Sequence, residues 1–375
     1  MAYLRSLSMI SPLSLNFYGI MVLGLSVILS LIGLLGLYSA ANGQFDIWAE
    51  KQGIMVLILF FIVIAFSFIN INVFYCYAYH IYAVTLVLLV VAEILGYTAM
   101  GAQRWLRFGF VNIQPSELMK IGLILALARY FHATKFTEIK TWKGIIFPIF
   151  LTLVPVALVL KQPNLGTATI LLLVSGAIFF IAGVKIYKFA LVLGGVIITG
   201  PICWNFLHDY QKQRIMTFLN PESDHLGAGY NIIQSQVAVG AGGIYGQGLL
   251  QGSQNQLDFL PEKHTDFIFT LLAEECGFIG VVLILALYML LISMCWLISR
   301  NSNALASRII AAGIASLLFV HIFINIGMIS GILPVVGTPL PFLSYGRSNL
   351  MTCWFGIGLV LSVNASRKQR DPQNF

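Results

Sequence analysis

The sequence predicts an all-α, polytopic membrane protein with about ten transmembrane helices. Of its 375 residues, 59% are hydrophobic and only 9% are charged, whereas an average soluble protein has about 25% charged residues. Apolar runs long enough to cross a bilayer, which takes about 20 residues, recur along the whole chain. We therefore interpret residues 1–375 as one transmembrane domain rather than as several soluble domains.

Ten apolar runs are candidates for membrane spans. The first run is too long for a cleavable signal peptide and has no convincing cleavage site. A long loop, residues 207–265, separates the seventh run from the eighth. A loop of that length without a function is uncommon in a compact protein. The candidate spans are 16–40, 53–71, 74–98, 115–131, 144–160, 164–183, 187–206, 266–298, 305–333 and 341–365.

The distribution of Lys and Arg predicts that both termini are cytoplasmic. In that orientation twelve basic residues lie in inner segments and five in the short outer segments. Because basic residues favour the cytoplasmic side, the net charge of +7 reflects topology and does not indicate a nucleic-acid partner. The loop 207–265 is then extracytoplasmic. The five cysteines are odd in number and lie mostly in apolar runs, which is typical of small buried side chains.

A charged cluster, FLPEKHTDFIF, directly precedes the eighth span. We take Asp266 as the first residue of that span. The small residues Thr270, Ala273 and Gly277 then share its helical face, so we expect the face to be uncrowded and open to a ligand. The alternative is a helix-start carboxylate that the helix dipole favours. Asp258 lies before the helix, and we expect it to tolerate an amide.

A second charged pair lies in NIQPSELMKIG, residues 112–122. Pro115 suits the first turn of a helix, and Glu117 and Lys120 are three residues apart on one side of it. Charged side chains at membrane depth are costly, and they are usually paired or functional. The alternative is a snorkelling lysine with its partner.

Two stretches rich in Gly or Pro stand out. AVGAGGIYGQGLLQGSQNQ, residues 238–256, can cradle a phosphate through its backbone N–H groups or form a flexible loop, and a lone Gly-rich run favours the loop. GILPVVGTPLPFLSYGRSN, residues 331–349, interrupts an apolar region, and such backbone needs protein or a cavity to satisfy it. His80 and His321 lie mid-span without metal-ligand spacing, so we interpret both as packed or hydrogen-bonded. We find no zinc motif, phosphate-binding loop or nucleophile elbow.

The motifs of this sequence and their order along the chain resemble those of the SEDS family, named for shape, elongation, division and sporulation. The resemblance covers nearly the whole chain. GAQRW and QNQLDFLPEKHTDF resemble the elongation (RodA) branch of the family rather than its division (FtsW) branch. The motifs are GAQRWLRFG with IQPSELMK, KQPNLGT, RIMTFLNPESDHLGAGYNIIQSQVAVGAGGIYGQG, GSQNQLDFLPEKHTDFIFTLLAEECG and PVVGTPLPFLSYG.

The resemblance implies a bacterial inner-membrane peptidoglycan glycosyltransferase that polymerises lipid II on the outer face during cell elongation and rod-shape maintenance. The implied partners are lipid II, a class B penicillin-binding protein transpeptidase and membrane proteins of the elongation complex. Asp266 matches the family's essential acidic residue, and Glu117 and Lys120 match its Glu–Lys pair. The candidates for binding the diphosphate or sugar are Arg214, Arg104, Gln114, His264, Thr265 and Glu262.

The chemistry of this reaction agrees with a single carboxylate. A sugar hydroxyl attacks an anomeric carbon and a lipid diphosphate leaves, so the site needs one base and cations for the leaving group. Inversion at the anomeric carbon needs no enzyme nucleophile. Asp266 suits the base, and Lys120, Arg214 and Arg104 are candidate cations. A divalent cation would suit the diphosphate, but the sequence shows no ligand set for a metal and implies no other cofactor.

Three alternatives stay open at this stage. A lipid II flippase would use the interrupted stretch 331–349, although charges in the inner halves of the spans are sparse. A division-type polymerase differs in its biological setting. A non-enzymatic scaffold would leave Glu117, Lys120 and Asp266 without explanation.

Two positions depart from the family pattern. Asn164 stands where the family usually has aspartate, which questions any role for a second carboxylate there. Arg347 stands where the family usually has glycine. If that glycine needs a positive φ, arginine would strain the turn.

Overall fold

The computed structural model describes residues 16–99, 102–108, 111–206, 209–224, 227–252 and 262–366. Most of these residues are helical. In chain order the helices are α1 (Phe17–Ala40), α2 (Ala49–Ser67), α3 (Ile71–Leu95), α4 (Pro115–Ala133), α5 (Phe136–Ile139), α6 (Lys143–Lys161), α7 (Leu165–Ile181), α8 (Ile186–Cys203), α9 (Asp209–Leu219), α10 (Ala228–Ala241), α11 (Ile268–Arg300), α12 (Leu305–Ile329) and α13 (Arg347–Ser366).

Each predicted span corresponds to one helix, in the predicted order. Seven described helices are long and apolar enough to cross a membrane, namely α1, α2, α3, α6, α11, α12 and α13. The apolar helices α7 and α8 are shorter, and α4 contains the Glu117–Lys120 pair. The chain is therefore a polytopic helical membrane protein, while ten crossings stays a prediction.

Several predicted ends are wrong by a few residues, for local reasons. α3 begins at Ile71 rather than at 74, because the side chain of Asn70 caps it by accepting the N–H of Asn72 at 3.0 Å. The last helix begins at Arg347 rather than at 341, because the Pro-rich stretch before it does not continue a helix.

A small antiparallel sheet between α3 and α4 was missed by the all-helical prediction. It contains β1 (Tyr97–Ala99), β2 (Ala102–Phe108) and β3 (Val111–Ile113), in the order β1-β2-β3. Arg104 of β2 donates through Nε to the carbonyl of Gln162 at 2.7 Å and through Nη2 to the carbonyl of Pro163. The sheet is thereby tied to the turn between α6 and α7.

The core is built around α12 and α13, which are buried along most of their length. α12 packs against α11, α4 and α7, and α13 packs against α2. The fully buried Trp354 of α13 meets the rings of Phe60 and Phe342 edge-to-face, at centroid distances of 6.4 Å and 5.9 Å. Large apolar side chains remain exposed on α3, α6 and α8, as expected of helices that face lipid.

The helix that follows the charged cluster is broken near its start. Gly277 in α11 has φ 66° and ψ −166°. The turn after α10 pairs with this break, since Gly248 donates to the carbonyl of Glu275 at 3.1 Å and Phe278 donates to the carbonyl of Gly243 at 2.9 Å. The prediction of a loop is therefore wrong for residues 238–241, which end α10, and the described residues after them form a turn that is hydrogen-bonded to α11.

Candidate functional site

The stretch between α12 and α13, residues 330–346, carries irregular backbone into the core; we call it the connecting segment. Its polar backbone atoms are satisfied by side chains from several helices, as the sequence predicted for such a stretch. Five of its carbonyls accept side-chain hydrogen bonds: Ser330 from Gln236 at 3.3 Å, Thr338 from Asn325 at 2.7 Å, Pro339 from His321 at 3.4 Å, Ser344 from Gln52 at 3.1 Å and Pro341 from Tyr288.

The connecting segment passes directly over the side chain of Asp266. Gly337 has φ +67°, and a Cβ atom added to it would lie 3.2 Å from Oδ2 of Asp266. Glycine is therefore suited to this position both by its backbone conformation and by the space available. The backbone of Asp266 is held from the other side, because its carbonyl accepts the Nδ2 group of Asn325 at 2.8 Å.

The carboxyl of Asp266 has an unusual proton affinity. Burial by the surrounding protein is the largest cause that raises its pKa, to about 7, and the negative charge of Glu262 raises it too, while the Arg214 guanidinium opposes both. The residue as a whole is nevertheless partly exposed. No described residue makes a hydrogen bond or ion pair with the carboxylate. Asp266 can therefore exchange a proton near neutral pH.

The predicted helical phase around Asp266 is wrong. Asp266 lies in a turn, residues 262–267, and α11 begins two residues later, at Ile268. The face predicted to be open is closed, since Thr270 and Ala273 are fully buried. Space for a ligand near Asp266 must therefore lie on the side of the turn and the connecting segment.

The turn itself is stabilised by neighbouring candidates. The hydroxyl of Thr265 donates to Oε2 of Glu262 at 3.0 Å. The ring of His264 stacks on Trp48, with a centroid distance of 4.3 Å and an interplanar angle of 5°. Burial lowers the pKa of His264 and the charge of Lys263 lowers it further, against the opposing charge of Glu262, so the ring is neutral at pH 7. These contacts shape the turn around Asp266.

The Glu117–Lys120 pair is joined by a third side chain. Nζ of Lys120 lies 2.6 Å from Oε1 of Glu117 and 2.9 Å from Nε2 of His321. Glu117 is 4% exposed and Lys120 1% exposed. The pair is therefore a buried, hydrogen-bonded group of the core, and the snorkelling alternative is wrong.

The remaining candidates have different surroundings. Arg214 of α9 is half-buried, and its charge acts on Asp266. Arg104 is bound to carbonyls of the α6–α7 turn, as described above. Gln114 precedes α4, and its backbone N–H donates to Oγ of Ser348 at 3.0 Å. The described structure therefore connects Arg214 electrostatically with Asp266 and uses two other candidates to join neighbouring elements.

The two departures from the family pattern have simple structural explanations. Asn164 is the N-cap of α7, where its Oδ1 accepts the N–H of Thr167 at 3.2 Å. This cap requires a side-chain oxygen rather than a negative charge. Arg347 begins α13 and is not among the described residues with positive φ. The strain considered for arginine at this position is therefore absent.

Sequence reasoning missed the contributions of His321, Asn325 and Gly337. A mid-span His and Asn spaced by four residues on one helical face are the signal that could have revealed the first two. Asp258 lies outside the described residues. Among the residues that the structure describes, no group of three His, Cys, Asp or Glu side chains could hold a metal ion.

The fold and the site together define a polytopic membrane protein with a carboxyl group of raised pKa in a turn at the start of a long helix. The chain belongs to the FtsW/RodA/SpoVE family of cell cycle proteins, whose sequence profile matches residues 12–369.

The relatives and solved structures agree with this membership. The peptidoglycan glycosyltransferase MrdB of Escherichia coli K12 is 46% identical over 77% of this chain and 78% of the relative. A probable peptidoglycan glycosyltransferase FtsW of Geobacter sp. is 37% identical over 92% of this chain and 96% of its own.

Two structural comparisons cover almost the whole fold. A chain from a peptidoglycan synthase complex, described for its coordination of polymerization and crosslinking, matches with a TM-score of 0.81 and 31% identity, covering 93% of this chain and 98% of its own. The rod shape determining protein RodA of Thermus thermophilus matches with a TM-score of 0.69 and 26% identity, covering 93% and 97%.

Proposed function

We propose that this chain polymerises lipid II into glycan strands during cell elongation, with Asp266 as the general base. The activity is that of a peptidoglycan glycosyltransferase of the elongation type, as in the MrdB relative. A division-type role has less support, since the FtsW relatives share fewer identical residues with the chain. The observation that carries the residue assignment is the Asp266 carboxyl, which belongs to a partly exposed residue in a turn, lacks a described side-chain partner and has a pKa raised by burial to about 7.

The proposed step is a single inverting displacement. Asp266 accepts the proton of the acceptor sugar's hydroxyl, and the hydroxyl oxygen forms a bond to the anomeric carbon of the donor. The bond between that carbon and the diphosphate breaks, and its electron pair leaves with the polyprenyl diphosphate. Inversion needs no covalent sugar–enzyme intermediate, and a positioned base typically accelerates such a step by about 10²–10⁴-fold.

The two cations near the site have different proposed roles. Arg214 is half-buried and acts electrostatically on Asp266, so it is our candidate for contact with the diphosphate. Lys120 is enclosed by Glu117 and His321, so we assign it to positioning rather than to direct contact. Both assignments are compatible with a leaving group that already carries negative charge.

The membrane topology is part of the proposal. The twelve-to-five distribution of basic residues supports cytoplasmic termini and an outward-facing site in the bacterial inner membrane. A reporter fused after Phe375 should be cytoplasmic, and one inserted near Ser223 periplasmic. Reporters on the same side would exclude this topology.

The likeness to a synthase complex supports a class B penicillin-binding protein as partner. Such a partner would crosslink the strands that this chain makes. Other membrane proteins of the elongation complex are further expected partners. Co-purification with the class B protein, compared with a class A protein as control, tests the first of these.

The central experiment uses purified protein and labelled lipid II, with products separated by length on a gel. The unaltered chain should form polymer, and Asp266→Asn should reduce the rate by about 10²-fold or more while leaving folding intact. Glu222→Gln is the matched control, because Glu222 is an exposed carboxylate in the same outer loop. Near-normal polymer from Asp266→Asn would refute the base, and transfer of lipid II across vesicles without any polymer would favour the flippase.

A further inference from the structure

Two polar side chains on one face of α12 connect the parts of the site that lie on different elements. His321 and Asn325 are four residues apart, so they lie one above the other on the helix. They are 1% and 0% exposed. Both donate to the connecting segment, and their acceptors are the consecutive carbonyls of Pro339 and Thr338. Two buried polar groups in the core of a membrane protein need a reason, because unmade hydrogen bonds there are costly.

The orientation of Asn325 is determined by its acceptors. Its Nδ2 group lies 2.8 Å from the carbonyl of Asp266 and 2.7 Å from the carbonyl of Thr338. Only the amide nitrogen can donate to two carbonyls, so the flipped amide is excluded. One side chain thus joins the turn that carries the candidate base to the segment that covers it.

The protonation of His321 is determined in the same way. Lys120 has no acceptor atom, so Nε2 of His321 must accept from Nζ of Lys120, which lies 2.9 Å away. Nδ1 then carries the proton and points to the carbonyl of Pro339 at 3.4 Å. A neutral ring in this tautomer joins the buried lysine of α4 to the same connecting segment.

We infer that His321 and Asn325 are positioning residues that align Lys120 and Asp266 through neighbouring carbonyls of the connecting segment. His321 binds the ammonium group of Lys120 and the carbonyl of Pro339, and Asn325 binds the backbone carbonyl of Asp266 and the carbonyl of Thr338, the residue before Pro339. A displacement at one end therefore changes the geometry at the other. This inference rests on the proposed function, because it assumes that Asp266 and Lys120 serve polymerisation.

The test measures kcat and KM for lipid II polymerisation by purified variants, together with their thermal unfolding. His321→Leu removes the acceptor for Lys120, whereas His321→Gln keeps an acceptor and a donor. We expect kcat to fall by 10-fold or more in the leucine variant and by markedly less in the glutamine variant. For Asn325→Leu we expect a similar loss in kcat with KM changed by less than about threefold, because misplacing a base affects the chemical step.

A double-variant comparison separates alignment from general packing. If His321 acts through Lys120, His321→Leu combined with Lys120→Ala should be no slower than the slower single variant. Ser316→Ala is the matched control on α12, because its hydroxyl donates only within the helix, to the carbonyl of Ala312 at 2.8 Å. That control should keep the unaltered kcat.

The outcomes separate this inference from the proposed function. No polymer from the unaltered chain would refute the proposed function itself. An active chain whose folded His321→Leu and Asn325→Leu variants keep kcat within threefold would overturn the inference. If a leucine variant does not fold, His321→Gln or Asn325→Ser is measured in its place. The inference would likewise be overturned if the fold-loss in kcat of the double variant His321→Gln with Lys120→Ala equals the product of the losses in the two single variants.

Discussion

The two acidic side chains of the candidate site, Asp266 and Glu117, have different environments. Glu117 lies inside the bundle with a lysine 2.6 Å from its Oε1 atom. Asp266 lies in a turn as a partly exposed residue, and no described residue pairs with its carboxylate. A cation in contact with a buried carboxylate holds it in place, whereas burial without such a contact raises the pKa of a carboxyl group. The difference indicates that Asp266 is suited to proton transfer and Glu117 to holding its neighbours.

The largest expected effect concerns the paired carboxylate. Lys120→Ala leaves Glu117 buried without its cation, which costs about 3–5 kcal/mol of folding free energy in comparable cases. The double variant Glu117→Ala with Lys120→Ala removes both charges, so we expect it to unfold at a higher temperature than Lys120→Ala alone. Thermal unfolding in detergent measures the difference. Equal unfolding temperatures for the unaltered chain, Lys120→Ala and the double variant would show that the pair is not a buried, coupled group.

The next effect concerns the packing of the connecting segment that covers Asp266. A Cβ atom added at Gly33 of α1 would lie 2.6 Å from the carbonyl oxygen of Phe342. Gly33→Ala must therefore displace backbone, and we expect it to cost about 1–3 kcal/mol and to lower polymerase activity. Gly24→Ala on the same helix is the control, because nothing lies within 4 Å of an added Cβ there. Equal stability of the two variants would contradict the close contact.

A smaller effect concerns the proton affinity of the Asp266 carboxylate. The base acts only when deprotonated, so kcat/KM should rise with pH and reach half its maximum near pH 7. Glu262→Gln removes a negative charge that raises the pKa of Asp266, so the midpoint should move to lower pH. Arg214→Gln removes a positive charge that lowers this pKa, so the midpoint should move to higher pH. Shifts in the same direction would exclude Asp266 as the group observed.

The smallest effect tests whether polymerisation needs an acidic residue at position 164, in addition to Asp266 and Glu117. Asn164→Ala removes the cap of α7 and should cost about 1 kcal/mol. Asn164→Asp keeps the accepting oxygen, and aspartate and asparagine are about equally good N-caps, so we expect it to change stability and activity less than Asn164→Ala does. Thermal unfolding and the polymerisation assay measure both. A clear gain in activity from Asn164→Asp would mean that a carboxylate contributes to catalysis at this position.

The sequence predicted the helical order well because long apolar runs and their Lys/Arg flanks are strong local signals. It also predicted Pro115 in the first turn of α4, because proline suits that position. The proximity of Glu117 and Lys120 followed from their spacing of three residues on one helix. The helical phase at Asp266 was wrong because the start of α11 depends on a turn held by Glu262 and Thr265. Such side-chain contacts leave no periodic pattern.

Other features depend on contacts between distant parts of the chain. The bonds from Asn325 to Asp266 and Thr338 join three elements. The Gly-rich turn after α10 is ordered by hydrogen bonds to the break in α11. Neither arrangement can be deduced from residues that are adjacent in sequence. The composition of a loop indicates that the chain turns there, but it does not indicate which distant residues the turn will contact.

The cap at Asn164 has a consequence for how such chains can vary. In the genetic code aspartate and asparagine are one nucleotide apart, so mutation exchanges them readily. At position 164 the exchange keeps the oxygen that the N–H of Thr167 requires, so the helix keeps its cap with either residue. At position 266 the same single-base change would remove the proposed proton acceptor, and a lineage that carries it would depend on another enzyme for its glycan strands.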